Sequence, residues 1–385
     1  MQLDTIKQLY STYKESGLFN RYITNNHIKP LLEILSNKIN IETLGQSVKG
    51  ENIFAFKIGD GDKRILMWSQ MHGNESTTTK AIFDLTNTLL SDQSKTKHIL
   101  EACTLYIIPI LNPDGAEAYT RINANEVDLN RDAQNLTQPE SLVLKSAFEN
   151  FKPHFCYNLH GQRTIFSAGK ANKSAVVSFL SPAQDEACSL TPNRKVAMEI
   201  ISVMNAALQQ IIPDQVGVYD DAFNLNCVGD TFQSKNIPTI LFEAGHFPGD
   251  YEREKTRELI YMSYLTSLDY IANNDITGEK YQSYLEIPEN EKLFLDVILR
   301  NVKVENSDDG EVVDIGIMFQ ERLIDKKIVF IPRIEKIENL SNFYAHKTIQ
   351  ANGLKVLGEN GNALKVGDEN DFVVVNNEKI PIISK

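Results

Sequence analysis

The chain has few cysteines, one tryptophan, no long apolar run and no excess of positive charge. Each shortage excludes something. Cys103, Cys156, Cys188 and Cys227 are widely separated and form no C-x-x-C pair, which argues against a cysteine-based zinc site or a dithiol redox motif. Cys103 and Cys156 stand in apolar, strand-like segments and read as small buried hydrophobes. No apolar run approaches the roughly 20 residues of a membrane-spanning helix. The start, Met1-Gln2-Leu3-Asp4-Thr5-Ile6-Lys7, lacks a basic segment followed by an apolar one, so a cytoplasmic location is expected, with no membrane partner. A net charge of -12 argues against a nucleic-acid partner, although local arginines can still hold an anionic substrate. The 385 residues, 42% of them hydrophobic, suffice for a large core and for two domains. Oligomeric state leaves no mark in the sequence.

What is present is an alternation. Apolar residues at helical spacing over Leu3 to Tyr13 and Ile28 to Leu35 predict a short helical preface within residues 1–40. Strands are expected over 53–58, 64–70, 105–110, 155–159, 176–180 and 239–242, with Gly59-Asp60-Gly61-Asp62 as a turn between the first two. Helices are expected over about 75–90, 139–151, 193–210 and 253–272. The polar stretch 111–137 reads as a long functional loop. Strands alternating with helices predict an α/β fold with a mostly parallel central sheet and helices on both faces. Beyond Asn273 the character changes to short β-rich runs, 311–319 and 327–331, punctuated by Asp308-Asp309-Gly310, Asn352-Gly353 and Asn360-Gly361. The expected domains are therefore a catalytic α/β domain over 1–278 and a small β-rich domain over 279–385.

The chemistry-bearing residues stand where strands end. Met71-His72-Gly73-Asn74-Glu75 follows the apolar run Ile65-Leu66-Met67-Trp68, and its imidazole and carboxylate suit one metal ion. His160, closing the strand from Phe155, would complete a His-Glu-His set. Three protein ligands with one open position is the arrangement of a catalytic zinc, which lowers the pKa of its water to about 7. Glu243, just past the strand 239–242, can accept a proton from that water and hand it to a leaving amine. With Asn112, these residues lie at or past strand ends, where functional groups gather in such sheets. Arg121, Asn123, Asn125, Asp128, Asn130 and Arg131 crowd the polar stretch. Arg131 can grip a carboxylate in bidentate fashion, with Asn130 as a further donor. Arg121 could stabilise an oxyanion, and Asp128 could hold a zinc-bound imidazole through its second N–H. Singly, each is an ordinary core histidine, salt bridge or solvated charge; it is the concentration that argues for a site.

Taken together these residues resemble the zinc metallocarboxypeptidases of the carboxypeptidase A type. The pattern runs His72-Gly73-Asn74-Glu75, Asn112-Pro113-Asp114-Gly115, Val127-Asp128-Leu129-Asn130-Arg131, His160 and Glu243, and Gly45 to Gly50 is similar to the family's opening hairpin. The resemblance covers roughly 40–272. It implies an α/β/α fold with a mixed sheet and one zinc ion held by His72, Glu75 and His160. It further implies Glu243 as general base, Arg121 at the scissile carbonyl, Asn130 and Arg131 on the terminal carboxylate, and Asp128 behind the first histidine. The implied partner is a peptide or small amide with a free carboxylate.

Some positions depart from the family pattern. The mobile tyrosine that digestive members carry ahead of the catalytic Glu is represented only by a displaced Tyr219. Residues 226–231, where the pocket for the last side chain would be lined, show no selector for a basic or large aromatic group. His160 is followed by Gly161-Gln162-Arg163, with Arg163 either a further anion contact or a surface residue, and His246 either lines the pocket or is structural. The related aspartoacylase and succinylglutamate desuccinylase branch shares the His-Gly-Asn-Glu and Asp-Leu-Asn-Arg runs, often adds a C-terminal β domain, and cleaves N-acyl amino acids. A non-catalytic relative that holds anions on Arg131 is the third reading, and the retained ligands and base weigh against it. Mn, Co and Ni fit a similar donor set.

Overall fold

Alternate residues of a strand face opposite sides of a sheet, and the strand Lys63–Ser69 shows what that builds here: Ile65 and Met67 enter one apolar core while Leu66 and Trp68 enter another. The computed structural model describes residues 1–303 and 312–383. It divides the chain into two units, residues 1–162 with 175–290 and residues 163–174 with 291–385.

The first unit is built on an eight-stranded sheet of β1 (Ile41–Gln46), β2 (Asn52–Ile58), β3 (Lys63–Ser69), β4 (Cys103–Ile108), β5 (Phe155–Gly161), β6 (Val177–Leu180), β7 (Val216–Val218) and β8 (Thr239–Ala244). Their order is β1-β2-β4-β3-β5-β8-β6-β7. The four central strands, β4-β3-β5-β8, are mutually parallel, while β1, β2 and β6 pair antiparallel to their inner neighbours. The sheet is thus mixed with a parallel centre. Because those central strands run the same way, Ile108, Ser69, Gly161 and Ala244 end at one edge, which brings Asn112, His72, His160 and Glu243 to that edge.

The helices are α1 (Leu3–Tyr13), α2 (Asn25–Leu35), α3 (Thr77–Ser91), α4 (Gln93–Ala102), α5 (Pro113–Ala118), α6 (Pro139–Phe151), α7 (Pro192–Leu208), α8 (Val228–Ser234) and α9 (Glu254–Asn273). One core packs α1, α2, α3, α7 and α9 against Met67, Leu105, Tyr157 and Phe242. The other packs Leu144, Phe148 and Phe232 of α6 and α8 against Trp68, Ile108 and Cys156. The helices 3–13 and 139–151 form as the sequence predicts. The expected long loop instead contains α5, which Asn112 caps by accepting the Gly115 N–H at 2.9 Å, with Pro113 in its first turn. Six residues are too few to show helical periodicity, so these two features read from sequence as a turn.

The second unit holds β9 (Phe294–Lys303), β10 (Val312–Ile324), β11 (Lys327–Glu338) and β12 (Tyr344–Gln350) in the order β11-β10-β9-β12, with a three-stranded sheet over 356–381. Its core gathers Val297, Leu299, Ile315, Ile317, Ile334, Val373 and Val375. Asn352-Gly353 and Gly361 adopt the positive φ expected of their turns, whereas Asp308-Asp309-Gly310 lies outside the described residues. Two segments depart from a division at 278/279. Residues 279–290 stay with the first unit, where Tyr284 and Ile287 join its large core and Val218 donates its N–H to the Pro288 carbonyl at 2.9 Å. Residues 163–174 belong to the second, where Phe294 donates to the Ile165 carbonyl at 3.0 Å. Among the described residues no helix is long and apolar enough to cross a membrane.

Candidate metal centre and active site

Past Ser69 the chain turns through Gln70, whose φ is +44°. The buried Gln70 amide fixes this turn, donating to the Ile23 and Gly73 carbonyls at 3.0 and 2.8 Å and accepting from the Thr79 hydroxyl at 2.8 Å. Gly73 is required by close approach, since a Cβ there would lie 1.9 Å from the Gly115 carbonyl carbon. The turn then presents His72 and Glu75. His72 Nδ1 lies 2.9 Å from Glu75 Oε1 and 3.0 Å from His160 Nδ1, and His160 Nδ1 lies 2.9 Å from Glu75 Oε2. The Gly161 N–H also donates to Glu75 Oε2, at 3.0 Å. Among the described residues this is the one group of potential metal ligands, its donor atoms all within 4.8 Å of one another.

The donor chemistry fits a divalent cation. Asp128 Oδ1 lies 3.0 Å from His72 Nε2, which places the proton of a neutral imidazole there and leaves the Nδ1 lone pair facing the centre. The His72 and His160 Nδ1 atoms, 3.0 Å apart and each 2.9 Å from a Glu75 oxygen, bring two imidazole nitrogens and a carboxylate to one point. Two imidazole nitrogens and a carboxylate oxygen are a zinc donor set. The charges interact accordingly. Burial works to raise the Glu75 carboxyl, but the His72 and His160 imidazoles outweigh it and hold it below the ordinary carboxylate range. Burial likewise opposes the charged form of His72, yet Glu75 and Asp128 raise its pKa, whereas in His160 burial prevails and lowers it.

Glu243 pairs with His160 in the β5–β8 register. Its Oε2 is buried without a hydrogen-bond partner among the described residues, and burial, reinforced by the Glu75 charge, pushes its pKa well up. Beneath it lies a residue that sequence reasoning missed. Arg253 is 1% exposed and donates Nη1 to the Ala244 carbonyl at 2.9 Å and Nη2 to the Gln162 carbonyl at 3.0 Å. It thereby ties together the backbone just beyond Glu243 and His160. The available signal was a cation at the start of a helix, where the dipole disfavours positive charge.

Arg121, half exposed, reaches Asp128 Oδ2 through Nε at 3.0 Å and Glu75 Oε1 through Nη1 at 3.4 Å. The Asn130 N–H donates to Asp128 Oδ1 at 2.9 Å, and its side-chain Oδ1 accepts the Val228 N–H at 3.0 Å, turning the amide NH2 the other way. Arg131 is exposed; its Nη1 donates to the Asn130 carbonyl at 2.7 Å and touches Cys227 Sγ at 3.1 Å. Tyr219, half buried past β7, has its phenol pKa raised by burial and then by Glu243 and Glu75, which puts it within electrostatic reach of both carboxylates. The buried His246 ring packs on Tyr251 at 4.5 Å. Arg163 is exposed, belongs to the second unit and is not among the residues the first unit brings together.

A model of the zinc carboxypeptidase family matches residues 24–222, more than half of the chain. Carboxypeptidase 2 of Trichophyton rubrum is 30% identical over 111 residues, covering 28% of this chain and 20% of its own length. Carboxypeptidase M of Mus musculus is 26% identical over 166 residues, covering 36% and 38%. The chain thus spans only about a fifth of the first relative and under two fifths of the second. The structure of the carboxypeptidase A from Helicoverpa armigera superposes with a TM-score of 0.50 at 15% identity, over 70% of this chain and 80% of that one, a likeness of fold. Matched by that family model over more than half of its length, the chain belongs to the zinc carboxypeptidase family.

Proposed function

We propose that the protein is a zinc-dependent metallocarboxypeptidase that hydrolyses the C-terminal amide bond of a peptide or small amide with a free carboxylate. The observation that carries this reading is the convergence of His72 Nδ1, His160 Nδ1 and Glu75 on one point, with half-buried Glu243, its Oε2 shielded from solvent, beside His160 in the sheet. His72, Glu75 and His160 would hold one zinc ion, which when bound acidifies a water molecule and polarises a carbonyl.

The remaining work falls to the chain's own groups. Glu243 accepts the proton of the attacking water and delivers it to the leaving nitrogen. Arg121, turned toward the site by Asp128 and Glu75, donates to the scissile carbonyl oxygen as negative charge develops on it. With its Nη1 engaged, Arg131 keeps its Nε–Nη2 edge for the terminal carboxylate, and the Asn130 NH2 adds a donor. Tyr219 is a candidate substrate contact. Arg163 is left without a role.

The test is product analysis by mass spectrometry on zinc-loaded protein with a mixed panel. The panel holds peptides with free C-termini, γ-glutamyl and diaminopimelate-containing peptides, and N-acyl amino acids. Release of a single C-terminal residue, abolished by chelator and by C-terminal amidation, is expected. Glu243→Gln should retain zinc and lose at least about 10²-fold in turnover. Arg131→Ala should mainly raise KM for substrates with a free carboxylate. Cleavage confined to N-acyl amino acids would place the protein with the aspartoacylase and succinylglutamate desuccinylase type. Anion binding without turnover would place it with the non-catalytic relatives.

A further inference from the structure

Behind the turns that carry His72 and Asn130 lies a cavity of about 180 Å³, enclosed by α6, α8 and the segment 129–136. Its floor is buried and apolar, made by Met71, Leu111, Leu129, Leu144, Val228 and Phe232. Its wall also includes half-buried Lys145 and exposed Lys235, and no carboxylate lines it. Lys145 has a loose pairing with Glu149 at 3.8 Å, and Lys235 Nζ sits 5.5 Å from the centre of the Phe148 ring. In a chain of net charge -12, two ammonium groups beside an apolar hollow that no carboxylate lines, one of them held only loosely by Glu149, are a local asymmetry. The polar groups Gln134 and Thr231 are already bonded, Gln134 to Thr231 at 2.7 Å and Thr231 to the Leu225 carbonyl at 2.6 Å.

We propose that this cavity binds an aliphatic or aryl monocarboxylate, its apolar body on the Leu129–Val228–Phe232 floor and its carboxylate between Lys145 and Lys235. A hollow of this size takes a benzene-sized or short aliphatic body of about six to nine carbons. The lysines select against a free amino acid, whose ammonium group would face two like charges. The cavity shares Val228 and Thr231 with the 226–231 stretch expected to line the substrate pocket, but its anion contacts are Lys145 and Lys235 rather than Arg131, so binding there can be tested apart from the proposed peptidase activity.

Trp68, the single tryptophan, is fully buried and meets Phe232 edge-on at a centroid distance of 5.4 Å, so its emission reports on the cavity floor. Titration of the full chain with sodium octanoate should change that emission saturably, with a Kd at or below about 1 mM. Octylamine, of equal length and opposite charge, should bind at least about tenfold more weakly. Combining Lys145→Glu with Lys235→Glu, at positions outside the apolar core, should raise the octanoate Kd at least about tenfold, whereas Arg131→Ala should leave it unchanged. Absence of a saturable change, equal affinity for the amine, or unaltered binding in the charge-reversed variant each overturns the proposal. Loss of binding in Arg131→Ala does so too, because it would move the carboxylate to the substrate clamp.

Discussion

Two groups of buried charge in the first unit are built on opposite plans. In one, Asp84 and Arg257 expose no side-chain surface, and Arg257 uses all its donor hydrogens: Nε and Nη2 on Asp84 at 2.7 and 2.6 Å, Nη1 on the Leu18 carbonyl and Glu254, and Nη2 also on the Glu15 carbonyl. Lys80 and Lys14 complete the neutralisation of Glu254 at 2.6 and 2.7 Å. The group binds the N-terminal preface to α3 and α9 and leaves nothing to bind anything else. In the other, Glu75, Asp128 and Glu243 face two imidazoles and a half-exposed Arg121, while Glu243 Oε2 and His160 Nε2 are buried without a hydrogen-bond partner among the described residues. Unpaired buried charge is costly and persists where it has a task. A group whose charges are all paired is scaffold, and one that leaves a buried carboxylate oxygen unpaired is poised for a cation and a substrate.

That contrast breaks most readily at Arg257. Replacing it with Leu strands a buried Asp84 and should lower unfolding free energy by about 3–5 kcal/mol in urea titrations. A joint Asp84→Leu and Arg257→Leu variant should recover most of the loss, since the penalty lies in the orphaned charge. A loss below about 1 kcal/mol would show that this group is not the scaffold described. The opposite signature belongs to Asp128. Asp128→Asn should weaken zinc affinity by about 10–100-fold in competition with a chromophoric chelator, because the imidazole proton is left with a neutral amide oxygen in place of a charged carboxylate. Metal-free stability should fall only modestly: burial works to raise the half-buried Asp128 carboxyl, but His72 and Arg121 outweigh it and hold the group below the ordinary range, so the ionised form contributes some stability at neutral pH that the variant gives up. If metal-free stability instead fell by several kcal/mol, the site would be as structural as the Arg257 group.

How much of this was legible in the sequence follows from which atoms do the work. His72, Glu75, His160 and Glu243 could be read because each closes an apolar run that must be a strand, and parallel strands end together. Asp128, Asn130 and Arg131 could be read because a polar stretch with no apolar face must earn its place chemically. Arg253 could not, since its bonds to the Ala244 and Gln162 carbonyls involve groups with no identity in a sequence, and Arg257 could not, since it joins two more carbonyls, of Leu18 and Glu15, to an Asp84 carboxylate far away along the chain. The helix α8 escaped because seven residues carry little periodicity, yet its first N–H orients Asn130. Residues 163–174 join the second unit from the middle of the first, and no composition shift marks that excursion.

A smaller effect sharpens the comparison at Asp230. This residue sits in the first turn of α8, 7% exposed, with Oδ1 accepting the Asn224 N–H at 3.2 Å. Burial pushes its carboxyl up to about 6, and the backbone N–H groups with Arg131 and Arg194 offset only part of that. The folded value exceeds the unfolded one, near 3.8, so the folded state holds the extra proton between those limits. The stabilisation from this group is complete below the unfolded value and disappears as pH rises through about 6. At neutral pH the ionised, under-paired carboxylate is a liability. Asp230→Asn should therefore be about 1–3 kcal/mol more stable than the parent at pH 7, with the advantage shrinking toward pH 4 in parallel urea titrations. Such a gain would place Asp230 with the incompletely paired site group, kept for the pocket beside Arg131 rather than for the fold. A loss at pH 7 would place it with the Asp84–Arg257 scaffold, its bond to Asn224 outweighing its burial.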